Sequence, residues 1–141
     1  MKKIKDIVSS VDSSLTIEEQ QYPTICVSPN QLRKLAEKLK ENGFDVLLNL
    51  TGMDYKEYFG VIYHFTSTQD KKAMVVVKVN TPDRENLAIP TVSDLWASAN
   101  LYEREAYDFF GLQFINHPDL RRLFLRADWN GFPFRKDYDE D

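Results

Sequence analysis

The sequence predicts an α+β fold: a mixed or antiparallel sheet of about four strands, helices packed on one face of it, and an extended, irregular C-terminal tail. Three observations predict it. A capped helical segment with one apolar stripe spans 28–43. Three strand-length apolar segments follow between 44 and 79, joined by short polar connections. A second helical segment then runs to Gly111, after which no period is sustained. Local strand succession followed by a helix is the pattern of a sheet with segregated helices.

Residues 1–22 are polar and lightly patterned and read as an N-terminal arm or short helix. Pro23-Thr24-Ile25-Cys26-Val27 is β-branched and apolar, so a first strand is expected there. Ser28-Pro29-Asn30-Gln31 then offers an N-cap serine, a proline at the first helical position and a glutamine three residues after the cap. Leu32, Leu35, Ala36 and Leu39 make one helical stripe, and Asn42-Gly43 ends it. Phe44, Val46, Leu48 and Leu50 alternate along the next strand, although Leu47 spoils the alternation. Phe59, Val61, Tyr63 and Phe65 line one face of a further strand, and 73–79 form another, apolar on both faces. The polar connections 52–58 and 67–72 suit hairpins, hence an antiparallel meander. Residues 80–90 read as a loop with Thr81-Pro82-Asp83 as its turn. The second helix is expected to begin near Thr91, which stands three residues before Asp94 in capping-box-like spacing. Leu95, Ala99, Tyr102, Ala106 and Phe109 then share a face. The organisation expected is arm (1–22), α+β core (23–111) and extended tail (112–141).

At 141 residues the chain has the size of one domain. A hydrophobic share of 43% with 13% aromatics supplies a packed core. A net charge of −4 argues against a nucleic-acid binder. One cysteine, Cys26, cannot form an internal disulfide or a thiolate cluster, so the sequence reads as intracellular and is expected to build no iron–sulfur or zinc site alone. Cys26 is expected as small core filler, and His64 as a half-buried sheet residue. The basic start is not followed by an apolar run, which argues against a secretory signal. No stretch approaches the roughly 20 apolar residues of a membrane span, so any link to a membrane is expected through partners. Five glycines without a G-x-G-x-x-G arrangement argue against a nucleotide site.

The informative stretches are Glu103-Arg104-Glu105-Ala106-Tyr107-Asp108-Phe109-Phe110-Gly111, then His117-Pro118-Asp119-Leu120-Arg121-Arg122, then Gly131-Phe132-Pro133-Phe134-Arg135-Lys136-Asp137-Tyr138. Arg104 and Asp108 stand i, i+4 and can pair, but such an exposed pair is worth only about 0.3–0.5 kcal/mol. Three acids near a helix C-terminus oppose its dipole. Arg121, Arg122, Arg135 and Lys136 are the candidate counterions, with arginine favouring planar pairing with carboxylates. The tail is therefore expected to fold back over the second helix. Glu103, Glu105, Asp108 and His117 also have the donor types of an acid–base or metal site. An arginine inside the acidic group and the lack of a second nearby histidine favour ion-pair structure instead. His117, preceding a proline, is expected to anchor a loop. Trp96 reads as core, and Trp129 as core or partner anchor.

These three blocks, ERE-x-x-D-x-FG, HPDLRR and G-x-P-x-RKD-aromatic, resemble in order and spacing the 30 kDa (C-type) subunit family of the proton-pumping NADH:quinone oxidoreductase, respiratory complex I. The segments 45–54 with its TG-x-D turn, 61–65 and 89–96 resemble it too, so the likeness covers about residues 23–138. Asp139 stands where the family often has a proline. Many relatives continue into a longer C-terminal extension or are fused to the D-type subunit. The resemblance implies a structural subunit of the peripheral arm with no catalytic site and no cofactor of its own. The whole complex would use NADH, FMN, iron–sulfur clusters and quinone. It also implies D-, B- and I-type subunits as neighbours and a peripheral place on the cytoplasmic side of a bacterial inner membrane. Glu103, Arg104, Glu105, Asp108, Gly111, His117, Pro118, Asp119, Leu120, Arg121, Arg122, Arg135, Lys136 and Asp137 would be its motif residues, anchoring the tail or neighbouring subunits. Related hydrogenases and ferredoxin- or F420-linked enzymes use similar subunits. A stand-alone hydrolase or a free protein-binding module are the alternatives of other kinds.

Overall fold

The computed structural model describes residues 2–70, 72–122 and 131–137. In chain order these form α1 (Lys2–Val11), β1 (Ile17–Glu19), β2 (Pro23–Val27), α2 (Pro29–Glu41), β3 (Val46–Asp54), β4 (Phe59–Thr66), β5 (Met74–Asn80), β6 (Ala88–Pro90), α3 (Ala99–Phe110) and β7 (Gln113–Ile115). The five-stranded sheet has the order β1-β2-β5-β4-β3. The meander β3-β4-β5 is antiparallel, as the short connections imply, while β2 lies parallel to β5 because α2 carries the chain across between β2 and β3.

Register places Ile25 opposite Val77, Val77 opposite Tyr63 and Tyr63 opposite Leu50, so these side chains share one face. On that face Phe59, Val61, Tyr63 and Phe65 are wholly buried, and they join Leu32, Leu35, Ala36 and Leu39 of α2 in one apolar core. The capping of α2 is as its sequence signals: the Ser28 N–H donates to Gln31 Oε1 at 3.0 Å. α1 lies on α2 and buries Ile4, Ile7 and Val8. Those positions have helical spacing, the signal inside the segment expected as a loose arm or short helix.

Leu47, the residue that spoils the alternation of β3, is buried and Leu48 exposed. The register shifts between Leu47 and Asn49, and a bulge of this kind re-aims side chains by one position. Cys26 corrects its expectation: it is exposed, because it points to the face opposite Ile25 and Val27. The second helix starts later than expected. Ser98 is the N-cap of α3, and 91–98 form successive turns in which Val92 O accepts from the N–H groups of Leu95 and Trp96. Residues 112–115, expected in the irregular tail, belong to the folded body: Leu112 and Phe114 are buried, and β7 pairs in parallel with β6. Trp96 is 4% exposed and sits in the core, its ring 4.7 Å from Phe65. Trp129 and Tyr138 lie outside the described residues. Among the described residues no helix is long and apolar enough to cross a membrane.

Candidate functional site

The motif residues converge where α3, the loops after β5 and β3, and the C-terminal segment meet. They form three polar nodes. The first is set by α3. Ala99, Glu103 and Ala106 fall on its inward side, so a glutamate enters the apolar interior and is 0% exposed. Glu103 Oε2 accepts the Val92 N–H at 2.9 Å, and Oε1 is bonded to the Thr91 hydroxyl. Burial pushes the Glu103 carboxyl up to about 7, against the opposing pull of these two hydrogen bonds. The Thr91 signal thus has a different meaning from a helix cap: its hydroxyl belongs to Glu103. Asp94, its supposed capping partner, is held by Arg33 of α2 at 2.5 Å.

His117 completes this node. Its ring lies 3.0 Å through Nε2 from the Asn100 carbonyl and accepts the Asp119 N–H on Nδ1 at 2.9 Å. Those partners assign the Nε2–H tautomer. Glu103 Oε1 stands 3.9 Å from Nε2, and both side chains are fully buried.

The second node clasps the C-terminal segment. Arg122 reaches the Asp108 carboxylate at 3.0 Å and the Asp108 carbonyl at 2.5 Å, and gives a third bond to the Gly131 carbonyl at 2.7 Å. Asp108 is buried, and the Arg122 side chain only 10% exposed. The guanidinium lies 4.6 Å from the Phe132 ring, in cation–π reach. Arg104 spends its guanidinium on the carbonyls of Arg121 and Arg122, at 3.2 and 3.1 Å. The Phe134 N–H donates to the Phe109 carbonyl, and the two rings stack at 4.2 Å. Gly111 ends α3 with φ +80, and a Cβ there would stand 2.9 Å from the Phe132 ring, so both backbone and space demand glycine.

The third node lies on the end of the β3–β4 hairpin. Asp54, its side chain 2% exposed, holds Arg84 at 2.5 Å. It also accepts the N–H groups of Lys56 at 2.9 Å and Lys136 at 2.7 Å. Burial alone would raise its pKa, but Arg84 and these two N–H donors outweigh that and hold the carboxyl well below the usual range. Arg84 also meets Asp137 at 3.1 Å, which Arg135 meets at 3.0 Å. Both guanidinium groups lie over Phe59, at 4.5 and 4.9 Å.

Of the remaining motif residues, Glu105 is exposed on α3, Leu120 packs partly buried against the core, and Asp119 pairs with Arg121 at 2.9 Å on the surface. Pro118 lines a groove of about 460 Å³ with Arg33, Thr91 and Asp94. Lys136 is engaged through its backbone N–H, its side chain being exposed. Sequence reasoning missed Arg84 altogether. It lies in a loop without period, and its partner is 30 residues away, so no local spacing announces it. Among the described residues no three histidine, cysteine or acidic side chains stand together as a metal-holding group.

Fold and site define an α+β domain closed by a C-terminal segment that arginine pairs strap to its last helix. Residues 25–141 match the family described as the respiratory-chain NADH dehydrogenase, 30 Kd subunit. The chain belongs to that family. It is 49% identical over 114 residues to the fused C/D-type NADH-quinone oxidoreductase subunit of Phocaeicola vulgatus, covering 74% of this chain and 22% of that one. It is 38% identical to the C-type NADH-quinone oxidoreductase subunit of Chlorobium phaeobacteroides, covering 97% of this chain and 82% of that one. Among solved structures it resembles the trypsin-resistant fragment (1-134) of Nqo5, with a TM-score of 0.72 and 30% identity over 84% of this chain and 99% of that one. The chain thus spans about a fifth of the C/D-type relative and most of the C-type one.

Proposed function

We propose that this chain is a non-catalytic, structural subunit of the peripheral arm of a proton-translocating NADH:quinone oxidoreductase. In this reading it helps assemble the quinone-reducing module and holds redox centres carried by D-, B- and I-type subunits at fixed separations. NADH, FMN, iron–sulfur clusters and quinone belong to the complex and not to this chain. The complex meets the cytoplasmic side of a bacterial inner membrane, and this chain reaches the membrane only through partners.

One observation carries the reading. Among the described residues, most of the motif groups with chemical capacity are engaged in holding the polypeptide together: Asp108 by Arg122, Asp137 by Arg84, and His117 by Asn100 and Asp119, with Asp54 likewise held by Arg84. A reacting site would leave such groups turned to a substrate. Family membership and the relatives' names supply the complex.

The test is co-purification from native membranes with the other subunits, for wild type and for Arg122→Glu. Wild type is expected in a high-mass complex, and the reversed charge is expected to lower incorporation sharply. Normal incorporation of Arg122→Glu, or stoichiometric iron or flavin in the purified wild-type chain, would contradict the proposal. A second reading is a subunit of a related membrane-bound hydrogenase or ferredoxin- or F420-linked oxidoreductase; the fold also occurs, at a TM-score of 0.84 and 24% identity, in the structure of an archaeal membrane-bound sulfane sulfur reductase.

A further inference from the structure

We propose that Glu103 and His117 form a proton-operated latch that fastens the 116–119 turn, the root of the C-terminal segment, to α3. Both side chains are wholly buried, 3.9 Å apart between Oε1 and Nε2, and each bonds to a different part of the chain. Glu103 reaches back to Thr91 and Val92. His117 ties Asn100 of α3 to the Asp119 N–H.

In the closed state Glu103 is protonated, and the Nε2–H of His117 donates to the Asn100 carbonyl. Opening costs one proton, which leaves the Glu103 carboxyl for solvent. The resulting carboxylate is the stronger acceptor, since charge-assisted hydrogen bonds are roughly twice as strong as neutral ones. It draws the Nε2–H away from Asn100 across the 3.9 Å gap. Both nitrogens belong to one rigid ring, so Nδ1 then leaves the Asp119 N–H and the turn is released.

The surroundings suit this step. Thr91, which bonds Glu103, lines the open groove of about 460 Å³, giving the proton a way to water. The turn itself also lines that groove, through Asn116 and Pro118. Asn116 has φ +66, a conformation that asparagine tolerates at a cost and that release would relax. The other groups facing Glu103 are Tyr63 from β4, Arg33 from α2 and Asp94 from the 91–98 turns. Arg33 and Asp94 pair with each other and largely cancel. The Tyr63 hydroxyl is buried and meets no hydrogen-bond partner among the described residues. Burial sets Glu103 at about 7, so the step falls at neutral pH.

The experiment is NMR on the full 141-residue chain between about pH 5.5 and 8.5. It follows the Glu103 carboxyl carbon and hydrogen exchange at the Asp119 amide. The latch expects one shared midpoint near neutrality. It also expects Asp119 protection to fall about tenfold across that midpoint, beyond ordinary base catalysis. Glu103→Gln keeps the latch shut and removes the step from Asp119. An Asp119 amide unmoved while Glu103 titrates would overturn the proposal, as would the same Asp119 step in Glu103→Gln. Where Glu103→Gln fails to fold, His117→Gln replaces it: Glu103 then still titrates and the Asp119 step disappears. Its persistence in that variant overturns the proposal equally.

Discussion

Over the sheet, α2 lays Leu32, Leu35, Ala36 and Leu39 into a core with Ile25, Val77, Tyr63 and Phe65. At the other end, α3 lays Glu103 and Asp108 into the interior beside its alanines. Two helices of nearly equal length thus bury different chemistry. The apolar half gains from area removed from water, a non-directional term that any well-packed neighbour supplies. The polar half gains only while each donor meets its acceptor, since a buried group left alone costs about 1–3 kcal/mol. The first half is therefore expected to respond to volume and the second to charge and pH.

The largest effect expected is in the apolar half. Phe65 is fully buried, stacked with Tyr63 at 5.9 Å and tilted against Trp96 at 4.7 Å. Phe65→Ala is expected to cost about 3–5 kcal/mol, transfer and cavity terms together. Urea denaturation should show it as a shift of the whole transition with little dependence on salt. A loss below about 1 kcal/mol would mean that the two halves do not differ as drawn.

Next is the pH response of Glu103. Its folded pKa of about 7 lies above the ordinary 4.5. The native state therefore binds the proton more tightly than the unfolded chain between those values. Its contribution to stability is complete below about 4.5, falls as pH rises through about 7, and is flat above that. The span corresponds to a loss on the order of 3 kcal/mol. Glu103→Gln should lack that slope in denaturation curves collected across the window; an unchanged slope would assign it to another group.

The third is Arg84. Replacing it with Met leaves Asp54 buried with two backbone N–H donors and no cation from that loop; Arg84 is itself partly exposed, so the cost is about 2 kcal/mol, the scale of a lost hydrogen bond to a charged group. The pH sign is opposite to that of Glu103. The depressed carboxyl of Asp54 contributes stability above its ordinary 3.8, and that contribution is lost as pH falls through the lower folded value. Acid unfolding should therefore be steeper in wild type than in Arg84→Met. Equal acid slopes would mean that Asp54 does not set the acid limb.

The same contrast explains what could be read in advance. Leu32, Leu35, Ala36 and Leu39 announce α2 by spacing, and Phe59 to Phe65 announce β4 by alternation, because one face of each is uniformly apolar. α3 hides its inward face: a glutamate at 103 and an aspartate at 108 look like surface. Thr91 and Asp94 looked like a helix cap because local spacing cannot show that Glu103 and Arg33 claim them from a distance. Cys26 was misplaced for a related reason, since composition says how often a thiol is buried but only strand phase says which way it points. The tail arginines were legible as counterions by type. Which acid each one meets depends on the fold, and only Arg122 with Asp108 joins an arginine of the tail to one of the acids of α3 in the described contacts.

The smallest effect expected sharpens the contrast within a single motif. Glu103 and Glu105 are two residues apart, which on a helix places them about 200° apart around the axis. One is fully buried and the other exposed. Glu105→Gln removes a charge that water already solvates in the middle of α3, so the change is expected within about 0.5 kcal/mol. It should leave the neutral-pH slope of stability intact, where Glu103→Gln abolishes it. Incorporation into the complex then separates two uses of an acid. A Glu105→Gln chain that is stable alone but fails to co-purify would place Glu105 at a neighbour's surface, whereas full incorporation would leave it as ordinary solvated helix.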